Sequence, residues 1–400
     1  MRLTPELSVG AALLLGAGIV RAAEYPRTES HSGTSFFDGF RFPVEAYDNT
    51  TNGDVFWATP QNTSLLYIND AGRVILKVDN TSLVPYNEKR YAPKLFSKST
   101  YNPGTVWVMD AVHVPYGCSV WGAFWTQGPN WPTGGEIDIF EGIHMRKQNM
   151  MALHTDGTVA ECKIDRSKSM SGRIDSEDCN QDVNNGSGCT VFDNNEQSYG
   201  EAFSQAGGGV YVTEWSTDAI RIWFIARSAV PSSLTLTAEN IDTSTLGTPV
   251  AEYSSSTCDI EKLFLPQTLT INIVLCGDFA SLPALLEETC PALVGDKTCY
   301  TTYVIDDASA TYANAYFELN YINVYSTNSS GSASGSGSST TTLTDGMGKA
   351  TTTVTAGVGT HTNGTANGGG SSDAAKTVQR GMIGALMMGS VGLVAGLRVL

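Results

Sequence analysis

Along most of the chain, apolar and polar residues alternate with a period of two. Residues 72–78 (GRVILKV), 105–114 (TVWVMDAVHV), 219–226 (AIRIWFIA), 268–275 (TLTINIVL) and 315–325 (AYFELNYINVY) read as strands. Val, Ile, Thr and aromatic side chains dominate them, and turn residues bound them. No long segment has the helical period; only residues 281–289 suggest a short helix. Many short strands without internal repeats, spread over residues 23–326, predict an all-β chain, a sandwich or barrel with one sizeable core.

The alternation stops at both ends. Residues 7–20 form an uncharged apolar run behind Arg2, and VRA at 20–22 places small or permissive residues where a signal peptidase reads. This is the pattern of a secretory signal peptide over residues 1–22, cut after Ala22. Residues 327–372 are almost entirely Ser, Thr, Gly and Ala. Such a segment buries too little apolar surface to offset its ordering entropy, so it reads as a disordered, O-glycosylated stalk. Residues 382–397 are again apolar and uncharged, with Arg398 just beyond. The run is shorter than the ~20 residues a spanning helix needs. Small residues and a polar spacer precede it, the signal for a glycosylphosphatidylinositol (GPI) anchor over residues 373–400. Attachment is expected between Asn367 and Ala374, and a true transmembrane helix is the competing reading.

Composition narrows the class. Forty acidic residues against 24 basic ones give a net charge of −16 and a pI near 4.7. That balance opposes nucleic-acid binding, and suits solubility outside the cell and a neutral or cationic substrate. All eight cysteines fall between Cys118 and Cys299, which fits an oxidising compartment. Among the possible pairings, only the near pairs Cys179 with Cys189 and Cys290 with Cys299 suggest themselves. No C-x-x-C spacing argues for structural zinc. Asn49, Asn62, Asn80, Asn185, Asn328 and Asn363 are N-glycosylation acceptors.

Candidate chemistry lies in residues 135–142, GEIDIFEG, where Glu136, Asp138 and Glu141 sit among Ile137, Ile139 and Phe140. On a regular strand Glu136 and Asp138 share a face and Glu141 takes the other. A β-bulge within Ile139–Phe140 would bring all three to one face, and bulges gather beside active sites. Two carboxyls a short distance apart are what a retaining glycosidase needs. A third acid beside the nucleophile can share its proton and hold the carboxyl pKa values apart. Alone, this spacing is weak and equally describes a solvated strand face. Trp121, Trp125 and Trp131 lie just upstream. Aromatic faces stack on sugar rings, although tryptophans are more often core; Trp121 is assigned to the core.

WPTGGEIDIFEG followed by MALHTDG resembles glycoside hydrolase family 16, the laminarinase-like β-1,3(4)-glucanases. TEWSTDAIRIWF, CGDFA and ATYANAYFELNYINVY continue the match in order across residues 30–326. The resemblance implies a β-jelly roll of two antiparallel sheets with a substrate cleft across the concave one. It implies Glu136 as nucleophile, Asp138 as its assisting acid and Glu141 as general acid/base. His154 would sit beside the nucleophile, where by itself it would read as a core histidine. Trp125 and Trp131 would bind glucosyl units. Phe279 stands where the family commonly has tryptophan after CGD, so it would meet a sugar near the cleavage point. The five-residue step from Glu136 to Glu141 suits bulged laminarinases; related wall transglycosylases usually place their acids at 0, 2 and 4.

The implied function is a retaining endo-β-glucanase of the cell surface or wall, acting on β-1,3 or mixed β-1,3(4) glucans. It needs no cofactor or catalytic metal, and its partners are β-glucan and, through the lipid, a membrane; a monomer is expected. A wall-remodelling transglycosylase and a non-catalytic glucan-binding module are the alternatives. The module reading is weakened because both glutamates are present.

Overall fold

The computed structural model describes residues 24–327 and, in a separate unit, two short antiparallel strands, Leu343–Thr344 and Ala350–Thr352. The segments expected to be a signal peptide and an anchor signal, and nearly all of the expected stalk, lie outside the described residues. Within 24–327 two antiparallel sheets stack face to face. The larger has nine strands, the smaller eight, and a parallel pair, Val55–Trp57 with Arg90–Ala92, stands apart.

The strand Thr105–His113 explains how the larger sheet holds its place. Trp107, Met109 and Ala111 point into the main core, while Val106 and Val108 join a second apolar cluster on the opposite face. A strand covered on both faces reads as a continuous apolar run, which is why its alternation is faint. Trp107 stacks on Trp215 of the neighbouring strand Gly209–Trp215 at 6.0 Å between ring centroids. The smaller sheet runs Arg173–Ser176, Cys189–Phe192, Met150–His154, Glu136–Ile143, Val120–Gln127, Thr268–Leu275, Lys94–Ser97 and Phe40–Arg41. One face packs on the core and the other is free to carry chemistry.

The five expected strands are present, and several shorter ones join them. The short helix expected within 281–289 is present as one turn, Pro283–Leu286, and another turn, Gly277–Ala280, precedes it. Pro283 starts the second turn rather than continuing the first, because its ring fixes φ and removes a donor.

Cys179 bonds Cys189, as the spacing suggests, but Cys290 does not bond Cys299. Cys290 bonds Cys118, 172 residues away, Cys299 bonds Cys276, and Cys162 bonds Cys258. The turn Pro283–Leu286 directs Cys290 toward the 144–146 loop, where Met145 donates to Thr289 and Arg146 pairs with Glu288. That loop is itself bonded to the turn carrying Cys118, through Gly117 donating to the His144 carbonyl. Nearness along the chain is here no guide to nearness in space.

Candidate active site

The strand Glu136–Ile143 carries the bulge. Against Val120–Gln127, Asp138 pairs with Trp125 and Phe140 with Phe124, leaving one residue over. Against Met150–His154, Asp138 pairs with Ala152 and Glu141 with Met150, again one residue over. Ile139 and Phe140 therefore both drop into the core, at 1% and 0% exposure. Each buried side chain contributes about 1.5–3 kcal/mol, more than the ~1 kcal/mol of a lost ladder bond. Asn149 pairs the backbone groups left over: Glu141 N–H donates to its Oδ1 at 2.9 Å, and its Nδ2 donates to the Ile139 carbonyl at 2.9 Å. With the parity reset, Glu136, Asp138 and Glu141 share the outward face.

Register carries that face across the sheet. Arg41, Phe96, Thr270, Trp125, Asp138, Ala152, Thr190 and Ser176 are successive partners in one row. Lys94, Asn272, Ala123, Glu141, Met150, Phe192 and Arg173 form the next. Glu136 pairs with His154 and Gln127 in a third.

Each acid has its own surroundings. Trp131, half exposed, donates its indole N–H to Glu136 Oε2. Asp138 is buried, and His154 Nε2 lies 3.3 Å from its Oδ2 as an ion pair. Burial and the facing Asp138 carboxylate push Glu136 up; burial and the field of Glu141 push Asp138 up. Like charges this close cannot both ionise cheaply, so the pair retains a proton above the ordinary carboxylate range. Burial also raises Glu141, against the Trp121 hydrogen bond and the charges of His154 and Arg146. Burial opposes the charge on His154, but the Asp138 contact and the three carboxylates outweigh it and push the ring up to about 10.

Trp121 packs against the main core, as its assignment from sequence expects, but it has a second role at the site. It is half-buried and donates its indole N–H to Glu141 Oε1 at 2.8 Å. The register places it on the outward face, two partners along from Trp125 on the same strand. Trp125 is oriented by a hydrogen bond to Asn272 Oδ1 at 2.6 Å. Phe279 meets Trp121 edge-on at 5.5 Å, so it stands on the Glu141 side of the site. The Arg146 guanidinium lies 5.7 Å from the Phe279 ring.

Sequence reading missed Asn149, Asn272 and Lys94. Lys94 is nearly buried, with Nζ 5.0 Å from the Trp57 ring and 5.4 Å from Phe96. A lone Asn or Lys carries no periodic signal; only its register partner gives it a role.

The catalytic-domain model described as "XgeA-like, catalytic GH16 domain" matches residues 40–325. The chain belongs to glycoside hydrolase family 16. Its two antiparallel sheets are the jelly-roll sandwich of that family. The endo-1,3(4)-beta-glucanase xgeA of Emericella nidulans is 34% identical over 327 residues, 80% of this chain and 50% of the relative. A probable glycosidase of Schizosaccharomyces pombe is 33% identical over 310 residues, 76% of this chain and 70% of the relative. A probable endo-1,3(4)-beta-glucanase of Aspergillus fumigatus is 35% identical over 80% of this chain and 49% of its own length. The chain thus spans about half the length of most curated relatives it matches. Among solved structures, laminarinase 16A of Phanerochaete chrysosporium, holding 6-O-glucosyl-laminaritriose in donor and acceptor sites, superposes with a TM-score of 0.69 at 31% identity. That superposition covers 76% of this chain and all of that one. An elongating family 16 β-1,3-glucosyltransferase superposes with a TM-score of 0.68 at 34% identity, over the same shares.

Proposed function

We propose that the protein is a retaining endo-β-glucanase cleaving β-1,3 or mixed β-1,3(4) glucans. The observation that carries this reading is the bulge that brings Glu136, Asp138 and Glu141 to one face beside Trp125 and Trp131. Glu141 protonates the glycosidic oxygen as Glu136 attacks the anomeric carbon, so the distal sugar leaves as an alcohol and a glycosyl–Glu136 ester remains; Glu141 then takes a proton from water, whose oxygen bonds to the anomeric carbon and displaces the Glu136 carboxylate. Attack requires Glu136 to be ionised, so the proton that the pair retains must pass to Asp138 at that step, and His154 then balances the charge on Glu136. Trp125, Trp131 and, through Trp121, Phe279 bound the ground on which glucosyl rings would lie.

A second reading has a specific support: a β-1,3-glucosyltransferase is as similar to this chain as a laminarinase is. In it a sugar hydroxyl replaces water in the second step. The test is incubation of the purified protein with laminarin and mixed-linkage glucan, with and without a labelled oligosaccharide acceptor. Short unlabelled products support hydrolysis and rank the linkages. Labelled products longer than the acceptor support wall remodelling, and no change on any glucan overturns both in favour of a binding module. The sequence pattern outside 24–327 supports a secreted protein held to the outer membrane leaflet by a GPI lipid, with transfer to the wall as a further step. Release from cells by a phosphatidylinositol-specific phospholipase tests the anchor.

A further inference from the structure

The loop between Cys179 and Cys189 does more than close a turn. Its disulfide ties it to the start of the strand Cys189–Phe192, where Cys189 pairs with Leu153, the residue before His154. Thr155, the residue after, is bonded from the other end of the loop: its N–H donates to the Cys179 carbonyl at 2.8 Å, and Gln181 N–H donates to the Thr155 carbonyl at 2.9 Å. His154 is therefore clamped on both chain neighbours by one covalently closed loop. Two glycines let the loop close on the ring. A Cβ at Gly188 would stand 2.8 Å from His154 Nδ1 and 2.3 Å from the Leu153 carbonyl oxygen. A Cβ at Gly186 would stand 2.7 Å from Gln181 Nε2.

At the centre of the loop, Gln181 Oε1 meets His154 Nδ1 at 2.5 Å. A carboxamide oxygen can only accept, so Nδ1 must carry the hydrogen. With Nδ1–H fixed, the Nε2 edge facing Asp138 is either a lone pair against a carboxylate or a second N–H. The groups facing the ring from the catalytic strand are Glu136, Asp138 and Glu141, all acids, so the doubly protonated ring is the favoured one. From the other side come the Gln181 amide and Gly188.

We infer that Gln181 is a positioning residue: through the Nδ1 hydrogen bond it holds His154 as an imidazolium on Asp138, and so keeps the Glu136–Asp138 pair ionisable for attack. This rests on the glucanase reading only for its kinetic consequence. The proton arrangement stands or falls independently of any substrate.

The sign is fixed by charge. Removing the acceptor makes the cation less favourable; to the extent that His154 loses its second proton it no longer offsets the carboxylates, and the pair gives up its proton at higher pH. In Gln181→Leu the acidic limb of kcat/KM on laminarin should move upward, and each unit of displacement costs about tenfold in kcat/KM at a pH below both limbs. Gln181→Glu keeps an acceptor on Nδ1 and adds a negative charge beside the ring, so His154 should hold its second proton to at least as high a pH as in the wild type. A role in folding alone would lower thermal stability and kcat together but leave the shape of the profile unchanged. The second measurement is the ¹⁵N NMR titration of the histidine rings. With five histidines in the chain, His154 is assignable by substitution. In the wild type both its nitrogens should stay protonated through neutral pH, and in Gln181→Leu the ring should titrate at lower pH. Parallel pH profiles, or a His154 that titrates identically with and without Gln181, would overturn the proposal. A wild type inert on both laminarin and mixed-linkage glucan would refute the glucanase reading, and the ring titration would still decide the role of Gln181.

Discussion

The carboxyl of Glu141 reaches the outward face only because Asn149 bridges the bulge, and its removal has a calculable cost. Asn149 is fully buried, and its side chain pairs the Glu141 N–H and the Ile139 carbonyl, both at 2.9 Å. Asn149→Ala leaves both groups unpaired among apolar neighbours. An unsatisfied buried polar group costs about 1–3 kcal/mol, so the two together should destabilise by about 2–6 kcal/mol, a large part of the ~5–15 kcal/mol that holds a typical domain. The effect should not stop at stability. Without the bridge the extra residue can relax, and a displacement of about 1 Å in a catalytic group is enough for a ~100-fold loss in rate. Asn149→Asp retains an oxygen for the Glu141 N–H but sets a buried carboxyl against the Ile139 carbonyl, so it too should destabilise, and most at a pH where that carboxyl is ionised. Urea unfolding gives the stability, and reducing-sugar release from laminarin gives kcat on the fraction that remains folded. An Asn149→Ala protein with the wild-type unfolding midpoint and wild-type kcat would refute the role of Asn149 in shaping the site.

Trp121→Phe keeps the edge contact with Phe279 but removes the hydrogen bond that stabilises the Glu141 carboxylate. Because that bond holds the Glu141 pKa down, its loss raises it further, and Glu141 must be protonated to act as acid. The alkaline limb of the kcat/KM profile should therefore move to higher pH, and a downward or absent shift counts against the assignment. Replacing both Cys118 and Cys290 by Ala opens a loop of 172 residues. The chain-entropy ceiling for that loop is about 5 kcal/mol, and a drop of roughly 2–5 kcal/mol in unfolding free energy is expected; calorimetry showing none would indicate that the surrounding contacts already fix this turn.

Much of this was legible in the sequence where a period existed. The strand 268–275 was readable because β-branched residues repeat along it, and the broken parity of Glu136, Asp138 and Glu141 announced a bulge. What was illegible depends on contacts between distant segments. Trp121 and Trp125 have the same parity on one strand and the same local composition, yet one holds Glu141 and the other is held by Asn272, 147 residues away. The pairing of Cys118 with Cys290 is likewise decided by two loops that meet only after the sheets have formed. Asn149 and Gln181 are single polar residues in ordinary loops or strand ends, and their partners alone distinguish them from solvent-facing neighbours.

The central claim is that Glu136 attacks the anomeric carbon while Glu141 serves first as acid and then as base. Its most direct test is ¹H NMR of laminarin during the first turnovers, with Glu136→Gln as control. The account predicts that new reducing ends appear first as the β-anomer, and that Glu136→Gln, although folded, releases none. Initial release of the α-anomer, or sustained turnover by Glu136→Gln, would contradict it.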